Sequence, residues 1–188
     1  MQISDIKNYR QIITLKDGAN ILLRPALPED AECLLELYQS ASVDDTRYLR
    51  ENVKDPGIVQ SWLQDLDYHE VIPLLAMVQE RVVGNATLHF RSGPERHIGE
   101  LRIFLAKDLR RRGLGTKMLK TLLELARKQN LYLLIAKVVA NQSKVIKAFH
   151  KLGFEHRCTF EDYFILPDGE LLDLVFLTLY LREDIDEF

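Results

Sequence analysis

Cysteine is scarce, long apolar runs are missing, and neither sign of charge dominates. The two cysteines, Cys33 and Cys158, lie far apart with no Cys-x-x-Cys spacing, which excludes a secreted disulfide framework and points to a reducing, cytoplasmic setting. No apolar run approaches the ~20 residues that span a bilayer. The opening ten residues alternate polar and apolar side chains rather than forming a secretory signal, so a soluble protein is expected. The balance of 25 basic and 28 acidic residues, a formal charge of -3, leaves no field able to hold nucleic acid or an anionic membrane non-specifically. The five histidines, His69, His89, His97, His150 and His156, form no His-Glu-x-x-His or similar pattern, and no metal is expected. Pro/Gly/Ser linkers, repeats and low-complexity stretches are absent too, so one domain over 1–188 is expected, with the charge run 183–187 as a solvated end.

What is present suffices for a packed core: 47% of the 188 residues are apolar, enough without disulfides or metals. The spacing predicts a first strand over 21–24. Pro28-Glu29-Asp30 then suits the first turn of a helix, whose face is Leu34, Leu37, Tyr38 and Ala41. Trp62, Leu63 and Leu66 suggest a second short helix. Strands over 72–78 and 82–90 should form a hairpin, and a fourth strand runs over 98–106. Leu119, Leu122, Leu123 and Ala126 recur at helical spacing. The nearly continuous apolar run 131–140 reads as a strand buried on both faces and paired in parallel. Asn141 is a plausible cap for a helix carrying Val145, Ala148, Phe149 and Leu152, which Gly153 ends. Two last strands flank the turn signal Pro167-Asp168-Gly169. The expectation is an α+β, mixed α/β domain with about seven strands, mostly antiparallel, flanked by about four helices.

Between the fourth strand and the next helix stands Arg110-Arg111-Arg112-Gly113-Leu114-Gly115. Glycines let backbone amides approach a ligand, a helix start points its positive end there, and arginines add charge-assisted bonds, so the loop suits a diphosphate. The bland alternative is a basic helix start. Gly113-x-Gly115 lacks the third glycine of the dinucleotide fingerprint, since Met118 stands in its place, and no Gly-x-x-x-x-Gly-Lys-Ser/Thr occurs.

The loop resembles motif A of the GNAT superfamily of acetyl-coenzyme A-dependent N-acyltransferases, written Gln/Arg-x-x-Gly-x-Gly/Ala. The likeness extends in the family's order to Ile103-Phe104-Leu105, to Asn141, and to Lys151-Leu152-Gly153-Phe154. The opening Ile21-Leu22-Leu23-Arg24-Pro25 with Pro28-Glu29-Asp30-Ala31 is also similar, so the match covers roughly 12–182. The resemblance implies a GNAT-like fold and acetyl transfer from acetyl-CoA to an amine. It implies cofactor contacts from the strand residues Ile103, Phe104 and Leu105, with backbone groups of Ile103 and Leu105 offered to the pantetheine arm. Arg110, Arg111, Arg112, Gly113, Leu114, Gly115 and Thr116 would wrap the pyrophosphate, and Asn141 would reach the pantetheine from the splayed neighbouring strand. Side-chain packing and helix capping remain the alternatives for the strand residues and Asn141.

Amine attack on a thioester needs a neutral nitrogen. Glu100 stands where several family members place the base, and a surface or sheet-edge contact is its alternative. Phe149 departs from the tyrosine that many members carry four residues before the helix-ending glycine, and Tyr163 is a possible substitute proton donor. Asp44, Asp45, Arg47, Tyr48 and Arg50 lie in the expected acceptor-side loop. The segment Leu15-Lys16-Asp17-Gly18 leading into 21–25 is similar to protein-lysine acetyltransferase domains, which tilts the acceptor towards a protein lysine, with small amines, amino acids and antibiotics open. A homodimer is possible in the family. The runner-up reading is a catalytically lapsed coenzyme A-binding regulator, and a nucleic-acid module is disfavoured by the net charge.

Overall fold

The computed structural model describes residues 3–166 and 168–182, so the run 183–187 and Pro167 lie outside the described residues. Eight strands form one sheet in the order β1-β2-β3-β4-β5-β6-β8-β7. They are β1 (Gln11–Thr14), β2 (Asn20–Pro25), β3 (Val71–Val78), β4 (Arg81–Phe90), β5 (Ile98–Leu105), β6 (Leu133–Val139), β7 (Glu155–Ile165) and β8 (Leu171–Tyr180). The eighth strand, beyond the seven expected, is β1. It is a four-residue edge strand whose one buried side chain is Ile13, too short a pattern to register as period-two alternation. The helices are α1 (Ile3–Lys7), α2 (Ala31–Gln39), α3 (Val43–Thr46), α4 (Pro56–Gln64), α5 (Leu114–Lys128) and α6 (Ser143–His150). The two beyond the expected four, α1 and α3, are about one turn long, below the length at which a 3.6-residue stripe is readable.

Every neighbouring pair is antiparallel except β5 with β6. That single parallel pair follows from the helix between them: a strand re-entering the sheet after a crossover runs in the same sense. The register of β4 against β5 runs from Gly84↔Leu105 to Phe90↔Gly99 without a shift. Residues two apart on β5 therefore share a face. Gly84 and Gly99 mark the packed face: a Cβ at Gly84 would lie 3.0 Å from the Met118 sulfur of α5. The opposite face of β4 presents Asn85, whose amide donates to the Tyr38 hydroxyl of α2 at 2.9 Å. Helix α2 covers that face at one end of the sheet, and Tyr38 also packs on Phe104, ring centroids 5.1 Å apart. Towards β6 the segment after α3 lies over the same face, with Arg50 on Glu100 and Tyr48 on Asn141.

Burial follows the apolar pattern. Leu119, Leu122, Leu123 and Ala126 of α5 are buried, as are Leu134, Ala136 and Val138 of β6. At ~25 cal/mol per Å² of apolar surface removed from water, each large side chain in this set contributes roughly 1.5–3 kcal/mol. Near the chain start, Arg24 grips Asp30 with two bonds of 2.6 and 2.5 Å, tying β2 to the entry of α2.

Candidate active site

Strands β5 and β6 are paired over only three positions, Ile98↔Leu133, Gly99↔Leu134 and Glu100↔Ile135. Beyond them the strands part. The Ala106 amide donates to the Val83 carbonyl on the β4 side, so strand alternation turns the backbone groups of Leu105 and Ile103 to the other edge, into the wedge left by β6. The Leu105 carbonyl there accepts a bond from Arg110 Nε at 3.0 Å. Phe104, between them, sends its side chain to the α2 face, where Tyr38 and the Arg110 guanidinium lie against it.

The arginine and glycine loop ends this wedge. Arg111 and Gly113 both adopt positive φ, 62° and 89°, and Gly113 caps α5 without any side-chain bond to the helix start. The first intrahelical bond runs from the Lys117 amide to the Gly113 carbonyl at 3.2 Å. By helix geometry the amides of Leu114, Gly115 and Thr116 have no carbonyl one turn behind them. A Cβ on Gly115 would sit 3.1 Å from Leu105 Cδ1 and 3.5 Å from Ile103 Cδ1, so the first turn of α5 rests directly against the end of β5. The amides and the positive end of a 15-residue helix thereby face the mouth of the wedge, an arrangement that favours an anion.

Of the three arginines, Arg111 is exposed, and the other two are already paired. Arg110 bonds Asp45 at the end of α3, and Arg112 bonds Asp17 in the β1–β2 turn. Burial alone would raise the Asp45 carboxyl, but bonds from Arg110 and Ser42 outweigh it and hold the group low. Asp17 is held low mainly by its bond from Arg112. An anion arriving at the loop competes with these two carboxylates for the guanidinia.

Asn141 follows β6 but does not cap α6. The N-cap is Gln142, and it makes no side-chain bond. The Asn141 amide instead donates to the Tyr48 hydroxyl at 3.2 Å, which brings the loop after α3 across the open end of the wedge. Tyr48 and Arg47 line a cavity of about 270 Å³ with Arg50, Val139, Phe164 and Ile165. Arg47 ties this loop to the last hairpin through Asp168 at 2.8 Å and Glu170 at 3.0 Å. Phe149 is buried and stacks edge-on against Phe154, centroids 5.0 Å apart. Tyr163 is half exposed and packs on Phe160 and Phe164.

Glu100 sits at the apex where β5 and β6 separate, on the same face as Phe104, and is only 2% exposed. Three guanidinia surround it: Arg50 Nη2 donates to Oε1 at 2.7 Å, Arg91 Nη2 to Oε2 at 2.9 Å, and Arg102 Nε to Oε1 at 3.0 Å. Burial pushes its carboxyl up, but the charges of Arg102, Arg50 and Lys137 with the Arg102 bond bring it below the usual value of 4.5. His89, its register partner on β4, is pushed down to about 4 by burial and by Arg102. It shares a 2.9 Å bond with Thr87 and is neutral at pH 7. Arg91, Arg102 and Lys137 went unnoticed in the sequence. Arg102 was recoverable, since it stands two residues from Glu100 on an unbulged strand. The others come from distant segments. Among the described residues no group of three or more His, Cys, Asp or Glu side chains is placed to hold a metal ion.

Known proteins share this fold. The model of the acetyltransferase (GNAT) family matches residues 33–154. The crystal structure of a ribosomal-protein-alanine N-acetyltransferase from Brucella melitensis is similar at 29% identity and a TM-score of 0.75, covering 84% of this chain and 98% of that one. An N-acetyltransferase from Staphylococcus aureus Mu50 shares the fold at 23% identity, with a TM-score of 0.77 over 87% and 100% of the two chains. A phosphinothricin acetyltransferase from Sinorhizobium meliloti, solved in complex with acetyl-CoA, does so at 19% identity, with a TM-score of 0.78 over 94% and 93%.

Proposed function

Since the chain belongs to the acetyltransferase (GNAT) family, we propose that it transfers the acetyl group of acetyl-CoA to a primary amine, of a protein lysine or a small molecule, by direct attack on the thioester. The observation that carries this reading is the wedge: one strand edge freed from its neighbour after three pairs, ending against the glycine start of a long helix. An extended amide-bearing arm ending in a diphosphate fits that shape. Its amides replace the missing strand partner and its phosphates meet the helix start.

Acetyl-CoA supplies an acyl group on a thioester, and the residues of this chain supply position and proton handling. Gly113, Leu114, Gly115 and Thr116 offer backbone amides to the diphosphate. Arg110, Arg111 and Arg112 add charge once Asp45 and Asp17 have been displaced. Ile103 and Leu105 hold the arm through their backbone, Phe104 stiffens that strand by packing on Tyr38, and Asn141 reaches across from the end of β6. At the apex Glu100 stays ionised. It accepts a bond from the incoming ammonium and draws one proton towards solvent, leaving the nitrogen lone pair for the carbonyl carbon.

As the C–N bond forms and the C–S bond breaks, the nitrogen sheds a second proton and the departing sulfur takes one up, so that amide, thiol and one released proton balance the ammonium and the thioester. With Phe149 buried in apolar packing, no acid stands at that point of α6. A thiol with a reference pKa of ~8.5 leaves only one to two units above neutral pH, so this omission costs only about 2 kcal/mol. Phe149 is also the observation behind the second reading, a coenzyme A-binding protein that has lost turnover. Both cysteines are free thiols and, among the described residues, no helix is long and apolar enough to cross a membrane; these fit a cytoplasmic location.

Thiol release from acetyl-CoA in the presence of amines separates the two readings, because only the enzyme releases thiol in proportion to acylated amine. Gly113→Val tests the placement. At φ 89° any side chain is strained although the nearest atoms to a Cβ there, on the Lys16 side chain, are 4.0 Å away, so valine must reshape the loop. At least tenfold weaker acetyl-CoA binding by calorimetry in a folded variant is expected, and unchanged affinity would place the diphosphate elsewhere.

A further inference from the structure

Arg50, Arg91 and Arg102 give Glu100 one N–H each. A guanidinium carries five. The spare donors are not buried: the three side chains are 45, 36 and 40% exposed. Arg91 has a second carboxylate, Glu95, only at 4.0 Å, beyond hydrogen-bond distance. Lys137 stands two residues along β6 from the Glu100 register partner Ile135, on the same face, and its charge bears on Glu100. Four cations therefore meet two carboxylates here, in a chain whose overall charge is -3. The floor beside them is apolar. Ile98, Leu133, Ile135 and Phe176, with Arg91, Glu95 and Lys137 at the rim, bound a groove of about 300 Å³.

We propose that the amine substrate carries an oxyanion of its own, a carboxylate in a small amino-acid-type molecule, and docks it on the guanidinia of Arg50, Arg91 and Arg102. This rests on the acetyl-transfer reading and names the class of its acceptor. Planar carboxylates match the fork of a guanidinium with two parallel bonds, and three forks converge at the apex of the wedge. A carboxylate held by them leaves an amine one or two bonds away beside Glu100. The apolar groove then receives the side chain.

Two further observations favour a small molecule over a polypeptide. The ion pairs from Arg47 to Asp168 and Glu170 bridge the loop after α3, which carries Arg50, to the β7–β8 turn, and a main chain crossing between those two segments would have to part them. The second is protonic. Guanidinia near an ammonium favour its neutral form, and an α-amine, with a reference value of ~7.7–8.0, needs to lose only about one unit at pH 7 where a lysine needs more than three. A carboxylate held as low as Glu100 suffices for the first task and is poorly matched to the second.

Thiol release from acetyl-CoA, followed with each of the twenty common amino acids and with the matching carboxamides, tests this without altering the protein. The expected result is an amino acid whose kcat/KM exceeds that of its amide at least a hundredfold. Arg91→Gln, which removes one of the three forks, should then raise KM for the acid at least tenfold more than it raises KM for the matching amide, with acetyl-CoA affinity within twofold. Equal rates for acids and amides overturn the docking site, and so does a lysine peptide with an amidated end as the preferred acceptor. If no amine releases thiol, calorimetry on the protein loaded with coenzyme A decides separately. Binding of acids but not amides keeps the docking site and removes the acetyl-transfer reading; failure of both to bind removes the docking site.

Discussion

On the proposed reading, residues 110–116 carry the diphosphate side of the wedge in one short stretch, whereas the acceptor side draws Arg50, Arg91, Glu100 with Arg102, and Lys137 from four separate segments of chain. The first is built chiefly from backbone: a left-handed glycine, a helix start and the amides that neither can satisfy internally. The second is built from side-chain charge around one buried carboxylate. Backbone devices depend on conformation and tolerate exchange of neighbouring side chains. Charge clusters depend on each member, because removing one leaves the rest uncompensated in a partly dry site.

The largest expected effect of that difference lies at Glu100. Glu100→Gln keeps the shape but leaves three guanidinia facing a neutral amide, and on the proposed mechanism it removes the group that draws off the amine proton. Turnover should fall about a hundredfold, equivalent to about 2.7 kcal/mol, with acetyl-CoA affinity by calorimetry within twofold of the parent. A parallel loss of cofactor affinity would mean that the two sides are one unit and the contrast is mistaken.

A smaller effect comes from His89, which has no counterpart in the loop. Its folded value of about 4 lies below the ordinary 6.5, so the unfolded chain binds the proton more readily. Stability is complete above pH 6.5 and drains as pH falls towards 4. Allowing for partial exposure, the loss is on the order of 2 kcal/mol. Urea denaturation between pH 6.5 and 5, before most carboxylates titrate, reads it out, and His89→Gln should flatten that limb. An unchanged slope in the variant would assign the acid sensitivity to another group.

The smallest effect concerns the one place where the two sides touch. Asp45 belongs to the acceptor-side loop yet holds Arg110 of the diphosphate loop. Asp45→Asn frees that guanidinium from an anionic competitor, and acetyl-CoA affinity should rise about fivefold, a change of about 1 kcal/mol. Weaker binding in calorimetry would show that Asp45 aims Arg110 rather than occupying it.

Legibility in the sequence followed the same division. Motif, helix stripe and buried parallel strand are all local patterns, and α5, β6 and the loop between β5 and α5 stand where the spacing put them. Strand β1 escaped because four residues with one buried side chain carry no period. Asn141 reads as a cap from its position before a helix, yet Gln142 takes the cap position and the Asn141 amide turns to Tyr48. A partner 93 residues away leaves no mark on local spacing.

By itself the sequence determined the chemistry that one stretch of chain can complete: a glycine at positive φ, unpaired amides at a helix start, a strand leading into them. These depend on bonds and dihedrals within a few residues. Only the tertiary structure decided that β5 and β6 part after Glu100, that Asp45 and Asp17 hold two of the three arginines, and that three guanidinia close on one carboxylate. Those outcomes depend on distances between segments brought together by the burial of apolar faces, and a charge pattern along the chain does not encode which distant charges will meet.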